Sequence, residues 1–300
     1  MAPAGRDRPL WATGIRQDAA GRAHIDAVMG PDEYHPVVDD NTYTNVLARW
    51  NLRHAAALVE ATGGDRDEAA QWRMLADALV DGFDPDRGLH EQFAGYWNLE
   101  PLLATQIAPP PFTADLLLGA DRVAGSQLIK QADVVMAHHI LPGEMAPRSL
   151  AADVAYYEPR TAHGSSLSPA IYAAQLARAR RPDDALALFR HAARLDLDDT
   201  TGTIAGGLHL AALGGVWQAL AHGFLGLDPT GETLGIDPCL PTPWQALELR
   251  FRFRGQPVAV QADREAVHVT CRAPLAVRVG GRPPQRCDPP HTTIPLEATR

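Results

Sequence analysis

The feature that most constrains this chain is a change of hydrophobic period between residues 225 and 247. Before it, apolar residues recur at helical spacing. Tyr43, Val46, Leu47, Trp50, Ala57 and Leu58 share one face of a helix closed by Gly63-Gly64. Trp72, Leu75, Ala76 and Leu79 predict a second helix, stopped before Gly82 and Pro85. A third is expected over "LIKQADVV", capped by Ser126, with Leu128, Ala132, Val135 and His139 along one side; it takes in Lys130 and Gln131. Residues 166–181 predict another, stopped at Arg181-Pro182, and Pro182 suits the first turn of the next. The run 207–227 is the last and most apolar, and Gly214-Gly215 inside it reads as a close-packing position. From residue 247 the period becomes two. Leu247, Leu249, Phe251 and Phe253 alternate with Glu248, Arg250, Arg252 and Arg254, and "PVAVQA", "AVHVTC" and "LAVRVGG" continue the pattern between Gly/Pro breaks. The chain therefore reads as a helical region, 1–225, followed by a small antiparallel β domain, 226–300. The Pro-rich stretch from Asp228 to Trp244 links them.

Composition removes several function classes. A formal charge of −9 argues against a nucleic-acid surface, which needs a Lys/Arg stripe. No run approaches the roughly 18 apolar residues of a membrane span, and "MAPAGRDRPL" has no apolar centre for a signal peptide. Cys239, Cys271 and Cys287 have neither CxxC nor Cys/His spacing, so no disulfide framework or zinc site is suggested. A soluble protein of the reducing cytoplasm is the expectation.

Four stretches carry possible chemistry. In "VMGPDEYHPVVDDNTYTN" (28–45), Gly30-Pro31 breaks the chain, so Asp32, Glu33 and His35 fall on a loop before a helix. Two carboxylates and a histidine there can supply a proton donor if burial raises one pKa. The plainer reading is a solvated turn, with Asp39, Asp40 or Asn41 capping the helix. Next, Arg160, Thr161, His163, Ser165, Ser166 and Ser168 crowd before an apolar helical run. One hydroxyl suffices for a cap, and the excess suits an anion such as phosphate at a helix start. Lys130 and Gln131 are adjacent, so helical periodicity turns at most one inward; they suit sugar hydroxyls or a wet face. In "GLHEQFAGYWNLEP" (88–101), Phe93, Tyr96 and Trp97 suit a sugar platform or, more commonly, a core. His138-His139 lack metal-ligand spacing, and no metal ligand set is proposed.

Together these segments resemble glycoside hydrolase family 65, the inverting phosphorylases of maltose, trehalose, kojibiose and related α-glucosides. The matching stretches are "HIDAVMGPDEYH" with "DNTYTNV", "GLHEQFAGYWNLE", "LIKQADVVM" and "YYEPRTAHGSSLSPA", in the family's order. "GGLHLAALGGVWQAL" and the strand-rich tail resemble the family's last barrel helix and C-terminal β domain. The resemblance implies a mainly α fold, part of an (α/α)6 barrel, followed by a small antiparallel β-sandwich. It implies Glu33 as general acid, Lys130 and Gln131 as contacts to the sugar at the cleaved bond, and His163, Ser165 and Ser166 as the phosphate loop. Inorganic phosphate would be the co-substrate and a disaccharide the substrate, with no other cofactor. Nucleic acid and membrane are not expected partners.

Family members are longer, carrying an N-terminal β-sandwich and a ring of six helix pairs. The roughly eight helical stretches read here are too few for that ring, so a homo-oligomer or a complementing chain is a further expectation. Two rival readings go with it. One is hydrolysis of the same bond, with Asp32, Glu91 or Glu100 activating water. The other is a truncated, non-catalytic remnant that binds sugar or phosphate.

Overall fold

The computed structural model describes residues 14–199, 202 and 204–296. Its contacts divide the chain into two compact units, Met1–Ser165 and Ser166–Arg300. No described helix is long and apolar enough to cross a membrane.

The first unit opens with a short hairpin, β1 (Arg16–Gln17) and β2 (Ala23–His24). Helix α1 (Thr42–Ala61) follows, and Asn41 rather than Asp39 or Asp40 caps it: its side chain accepts from Thr44 N. Helix α2 (Arg66–Ala78) is capped by Asp65, which accepts from the backbone of Asp67 and Glu68. Ala48, Leu52 and Ala56 of α1 pack on Ala69, Trp72 and Ala76 of α2 and on Ala23 and Ile25. Both helices lie where the sequence periodicity puts them, but the face read for α1 is corrected: Leu58 is 65% exposed, and Val46, Ala48, Leu52 and Ala56 form the buried stripe. A two-stranded ribbon, β3 (Phe83–Asp84) and β4 (Leu89–His90), precedes two one-turn helices, α3 (Ala114–Leu118) and α4 (Ala120–Ala124). Helices α5 (Asp133–Ile140) and α6 (Leu150–Tyr157) follow.

The expected helix over "LIKQADVV" is corrected: α5 starts only at Asp133, and Ser126 does not cap it. The backbone of residues 126–132 is instead committed sideways. Ile129 N donates to Arg160 O at 3.0 Å, Ala162 N donates to Ile129 O at 3.2 Å, and Lys130 N donates to an Asp32 carboxylate oxygen at 2.8 Å. Ser126, Gln127, Leu128 and Ile129 are buried in unbroken succession, a run longer than the one face of an amphipathic helix gives. Lys130 and Gln131 thus sit on an irregular segment just ahead of α5.

The second unit contains α7 (Ser168–Arg178), α8 (Pro182–Arg194) and α9 (Leu210–Gln218), the last running into a π-helical turn at Ala219–Phe224. Pro182 begins α8, as read. Helix α7 begins at Ser168 rather than Ser166 and ends at Arg178 rather than Arg181. Gly215 is the close-packing glycine, since a Cβ there would lie 2.8 Å from Ala170 Cβ; Gly214 has open space. Gly223 has the same role against Ala174, at 2.7 Å from its Cα.

The β region consists of β5 (Leu234–Ile236), β6 (Leu247–Phe253), β7 (Gln256–Ala262), β8 (Ala266–Cys271), β9 (Leu275–Val279), β10 (Gln285–Cys287) and β11 (His291–Pro295). They form two sheets, ordered β10-β9-β5 and β11-β8-β7-β6. Leu234, Ile236, Val277 and Val279 from one sheet share a core with Val258, Val260, Val267 and Val269 from the other. The alternation in β6 is observed, with Leu247, Leu249, Phe251 and Phe253 the less exposed set. One pair departs from the antiparallel expectation: β5 runs parallel to β9.

Candidate active site

The loop after Gly30-Pro31 and the irregular run 126–132 are held together by buried polar groups. Asp32 is 1% exposed, and its carboxylate accepts from four donors: His35 Nδ1 (2.6 Å), Lys130 N (2.8 Å), Gln92 Nε2 (3.0 Å) and Tyr34 N (3.3 Å). Its own backbone N donates to Asp133 Oδ1 at 2.8 Å. Asp133 Oδ2 accepts from Asn41 Nδ2 at 2.6 Å, and Gln92 Oε1 accepts from Asp133 N at 3.3 Å. Burial, followed by the nearby charge of Asp32, pushes the Asp133 carboxyl well above the usual carboxylate range. Gly30 is required here, because a Cβ would lie 2.1 Å from Asp133 Oδ2. Tyr34 is anchored in an apolar cluster with Ala114, Leu128 and Ala162, its hydroxyl accepting from Ala114 N at 2.8 Å. Burial raises that hydroxyl to about 12.

This framework brings two of the sequence-chosen residues into contact. Lys130 Nζ meets Glu33 Oε2 as an ion pair, with Glu33 side chain 56% exposed and Lys130 28%. Asp32 points inward and Glu33 outward, so the loop carries one structural and one solvent-facing carboxylate. The next residue extends the set, as Gln131 Nε2 donates to Ser165 Oγ at 3.2 Å.

His163 and Ser165 are both buried. Their loop lies tight against residue 112: Phe112 N donates to Ala162 O at 3.0 Å, and a Cβ on Gly164 would be 2.2 Å from Phe112 O. His163 itself takes φ 53°, a left-handed conformation uncommon for a side-chain-bearing residue. Ser166 is the first residue of the second unit, two residues ahead of α7. Ser165 and Ser166 thus precede the helix on a shaped loop, while Ser168 is its first residue.

Other candidates have settled partners. Glu91 Oε1 accepts from Trp97 N at 3.1 Å, and Glu100 pairs with Arg122 at the surface. Phe93 and Tyr96 are core residues, with ring centroids 4.9 and 6.2 Å from that of His35. Trp97 lies under the Arg87 guanidinium, 4.3 Å from the ring centroid.

The sequence reading missed a second buried cluster. Asp153 Oδ2 accepts from His90 Nδ1 and His138 Nε2, each at 2.8 Å, and Asp153 Oδ1 accepts from His90 N at 2.9 Å. His90 Nε2 is reached by Ala146 N at 3.4 Å. These three side chains have metal-ligand chemistry and lie close enough together to share an ion. Their ligand atoms are already hydrogen-bonded to one another, as befits a structural triad. Only the fold shows it, since the three lie on β4, α5 and α6.

A helical region followed by a two-sheet β domain is the arrangement of a glycosyl-hydrolase catalytic domain with its C-terminal domain, as the family models matched by this chain show. The chain belongs to glycosyl hydrolase family 65. Residues 8–218 match the model of that family's central catalytic domain, and residues 227–285 match that of its C-terminal domain. A kojibiose phosphorylase of Halothermothrix orenii is 30% identical over 277 residues, covering 87% of this chain and 36% of the relative. A 1,2-alpha-glucosylglycerol phosphorylase of Bacillus selenitireducens is 34% identical over 305 residues, covering 91% and 39%. A solved structure described as a candidate kojibiose phosphorylase from the human microbiome superimposes with a TM-score of 0.84 at 25% identity, covering 95% of this chain and 41% of that one. The chain therefore spans less than half the length of these relatives. The family resemblance and the fold class read from the motifs both hold.

Proposed function

We propose that the chain carries the acid and phosphate machinery of an inverting α-glucoside phosphorylase. Glu33 donates its proton to the glycosidic oxygen as the C1–O bond breaks, and a phosphate oxygen bonds to C1 from the opposite face. The products are β-glucose 1-phosphate and a released sugar. Lys130 and Gln131 contact the sugar at the cleaved bond, and His163, Ser165 and Ser166 hold phosphate. No further cofactor enters this scheme.

One observation carries the reading: Glu33 touches Lys130, whose neighbour Gln131 donates to Ser165 in the hydroxyl loop. Acid, sugar contacts and anion loop are thereby linked by consecutive contacts. The fate of the remaining carboxylates favours phosphorolysis over hydrolysis. An inverting hydrolase needs a second carboxylate to activate water. Both Asp32 oxygens already accept from buried donors, Glu91 holds Trp97 N, and Glu100 pairs with Arg122. Phosphate is already anionic and needs only to be bound and aimed. The same reading takes 1–225 as the catalytic portion and 226–300 as the β domain. Support comes from the family matches, which change over between residues 218 and 227. It sets the chain to work in the cytoplasm, where both substrates are available.

The test is an assay of the purified chain on α-linked glucose disaccharides, reading β-glucose 1-phosphate with and without phosphate. Sugar release undiminished by omitting phosphate would overturn phosphorolysis. Ser165→Ala removes the loop hydroxyl that receives Gln131. Its expected effect is a KM for phosphate raised about tenfold, the equivalent of about 1.4 kcal/mol, with the disaccharide KM less affected.

A further inference from the structure

We propose that Asp32 is the positioning residue of this site: its buried carboxylate joins the Glu33 loop to the Lys130 segment and so holds acid and amine in contact. The inference rests on the reading of Glu33 as the acid, but its geometric core is independent of turnover.

Neither segment is part of a helix or strand: isolated bridges tie the first to itself (Val28 with Val38) and the second to residues 100 and 161, and none of these joins the two segments to each other. The Glu33 loop follows the break at Gly30-Pro31, and residues 126–132 precede α5. Their backbone groups still require partners when buried. Asp32 supplies them in both directions. Its carboxylate accepts from Lys130 N, and its N–H donates to Asp133 Oδ1, so two hydrogen bonds span sequence separations of 98 and 101 residues. The remaining donors, Gln92 Nε2, His35 Nδ1 and Tyr34 N, come from a third segment and from the loop itself. Glu33 and Lys130 are then the residues directly attached to the two ends of this staple. An exposed ion pair between two such side chains would contribute little by itself. Here it is the staple beneath that sets the distance.

The arrangement requires a carboxylate. Lys130 N and Tyr34 N approach Oδ1, while His35 Nδ1 and Gln92 Nε2 approach Oδ2. An asparagine keeps the shape but turns its amide donors toward one of these donor pairs in either orientation. The loop must then shift, and a displacement of about 1 Å at a reacting group can cost about 100-fold in rate.

The chain provides its own probe, because Lys130 is the only lysine among the 300 residues. Lysine labelled with 13C at Cε and 15N at Nζ gives a single side-chain NMR signal. Glu33→Gln defines the signal of Lys130 without its ionic partner. The expected result for Asp32→Asn is a Lys130 signal moved to that value. The turnover number should fall by about 100-fold while KM for the disaccharide stays within about threefold. A folded Asp32→Asn chain whose Lys130 signal stays at the unaltered position overturns the proposal. If Asp32→Asn does not fold, Gln92→Met decides. It removes one donor to Asp32, together with the acceptor of Asp133 N, without touching Glu33 or Lys130, and is expected to shift the Lys130 signal part of the way toward the Glu33→Gln position. An unmoved signal there overturns the proposal equally. Absence of phosphorolysis in the unaltered chain would overturn the function proposed above, and the Lys130 signal would still decide the role of Asp32.

Discussion

Glu33→Gln should abolish phosphorolysis, lowering kcat by about 10²–10⁴-fold, the range over which a positioned general acid acts. The amide keeps the size of the side chain and its hydrogen bonding but has no proton to give. Stability should hardly change, since the side chain is more than half exposed and its recorded partner is the surface-facing Lys130 amine. The loss is therefore expected with an unaltered melting curve. A donor with a leaving group that needs no proton, such as a glucosyl fluoride, should recover much of the rate. Appreciable turnover of a disaccharide by Glu33→Gln would remove Glu33 from the acid role. Failure of the fluoride to rescue would indicate damage to binding rather than to proton transfer.

Asp153→Ala should show the opposite profile, a large loss of stability from a residue with no proposed part in the chemistry. Asp153 is fully buried and accepts from His90 N, His90 Nδ1 and His138 Nε2. Removing it leaves those buried donors without their acceptor. Deleting one partner of a buried charged network costs about 3–5 kcal/mol, read here by denaturant titration at neutral pH. The pH dependence has a definite sign. Burial alone would raise the Asp153 carboxyl, but hydrogen bonds from His138 and His90, with the charge of His90, hold it below the ordinary carboxylate value. A depressed folded-state pKa contributes stability that is fully present above the unfolded value of about 3.9 and is lost as pH falls through the folded value. The difference between the two proteins should therefore be flat from about pH 5 to 7 and shrink below about pH 4. Equal stability at pH 7 would show that the triad is not a structural centre.

The sequence made the regular elements legible wherever one face of an element is buried. Trp72 and Ala76 recur at helical spacing because α2 presses one stripe against α1, whereas on α1 the periodicity pointed to Ala57 and Leu58, which are exposed, while Leu52 and Ala56 hold the buried place. Leu249 and Val260 alternate because a sheet has two faces. Periodicity gave a wrong element at residues 126–132, where Leu128 and Ile129 are buried in succession and the backbone hydrogen bonds go to distant segments. Such commitments leave no local signature. The parallel pairing of β5 with β9 was hidden for a similar reason, since three residues, Leu234–Ile236, carry too short a pattern. At the site, motif likeness singled out Glu33, Lys130 and Gln131, but not the residues beneath them. Asp32 reads as a possible acid or water activator, and Gln92 and Asp133 as ordinary polar residues, until the fold brings them together as one buried hydrogen-bonded group. The same holds for His90, His138 and Asp153, whose proximity is set by packing and not by spacing.

The lone lysine has a practical consequence. Reagents that attach proteins to beads, dyes or surfaces through amines have one side chain to find on this molecule, and it is the one that touches Glu33. Molecules coupled there, rather than at the α-amine, would be tethered by their candidate active site and would look inert for reasons unrelated to their fold. Thiol-directed attachment keeps that contact intact, with the partly exposed Cys239 as a handle on the second unit.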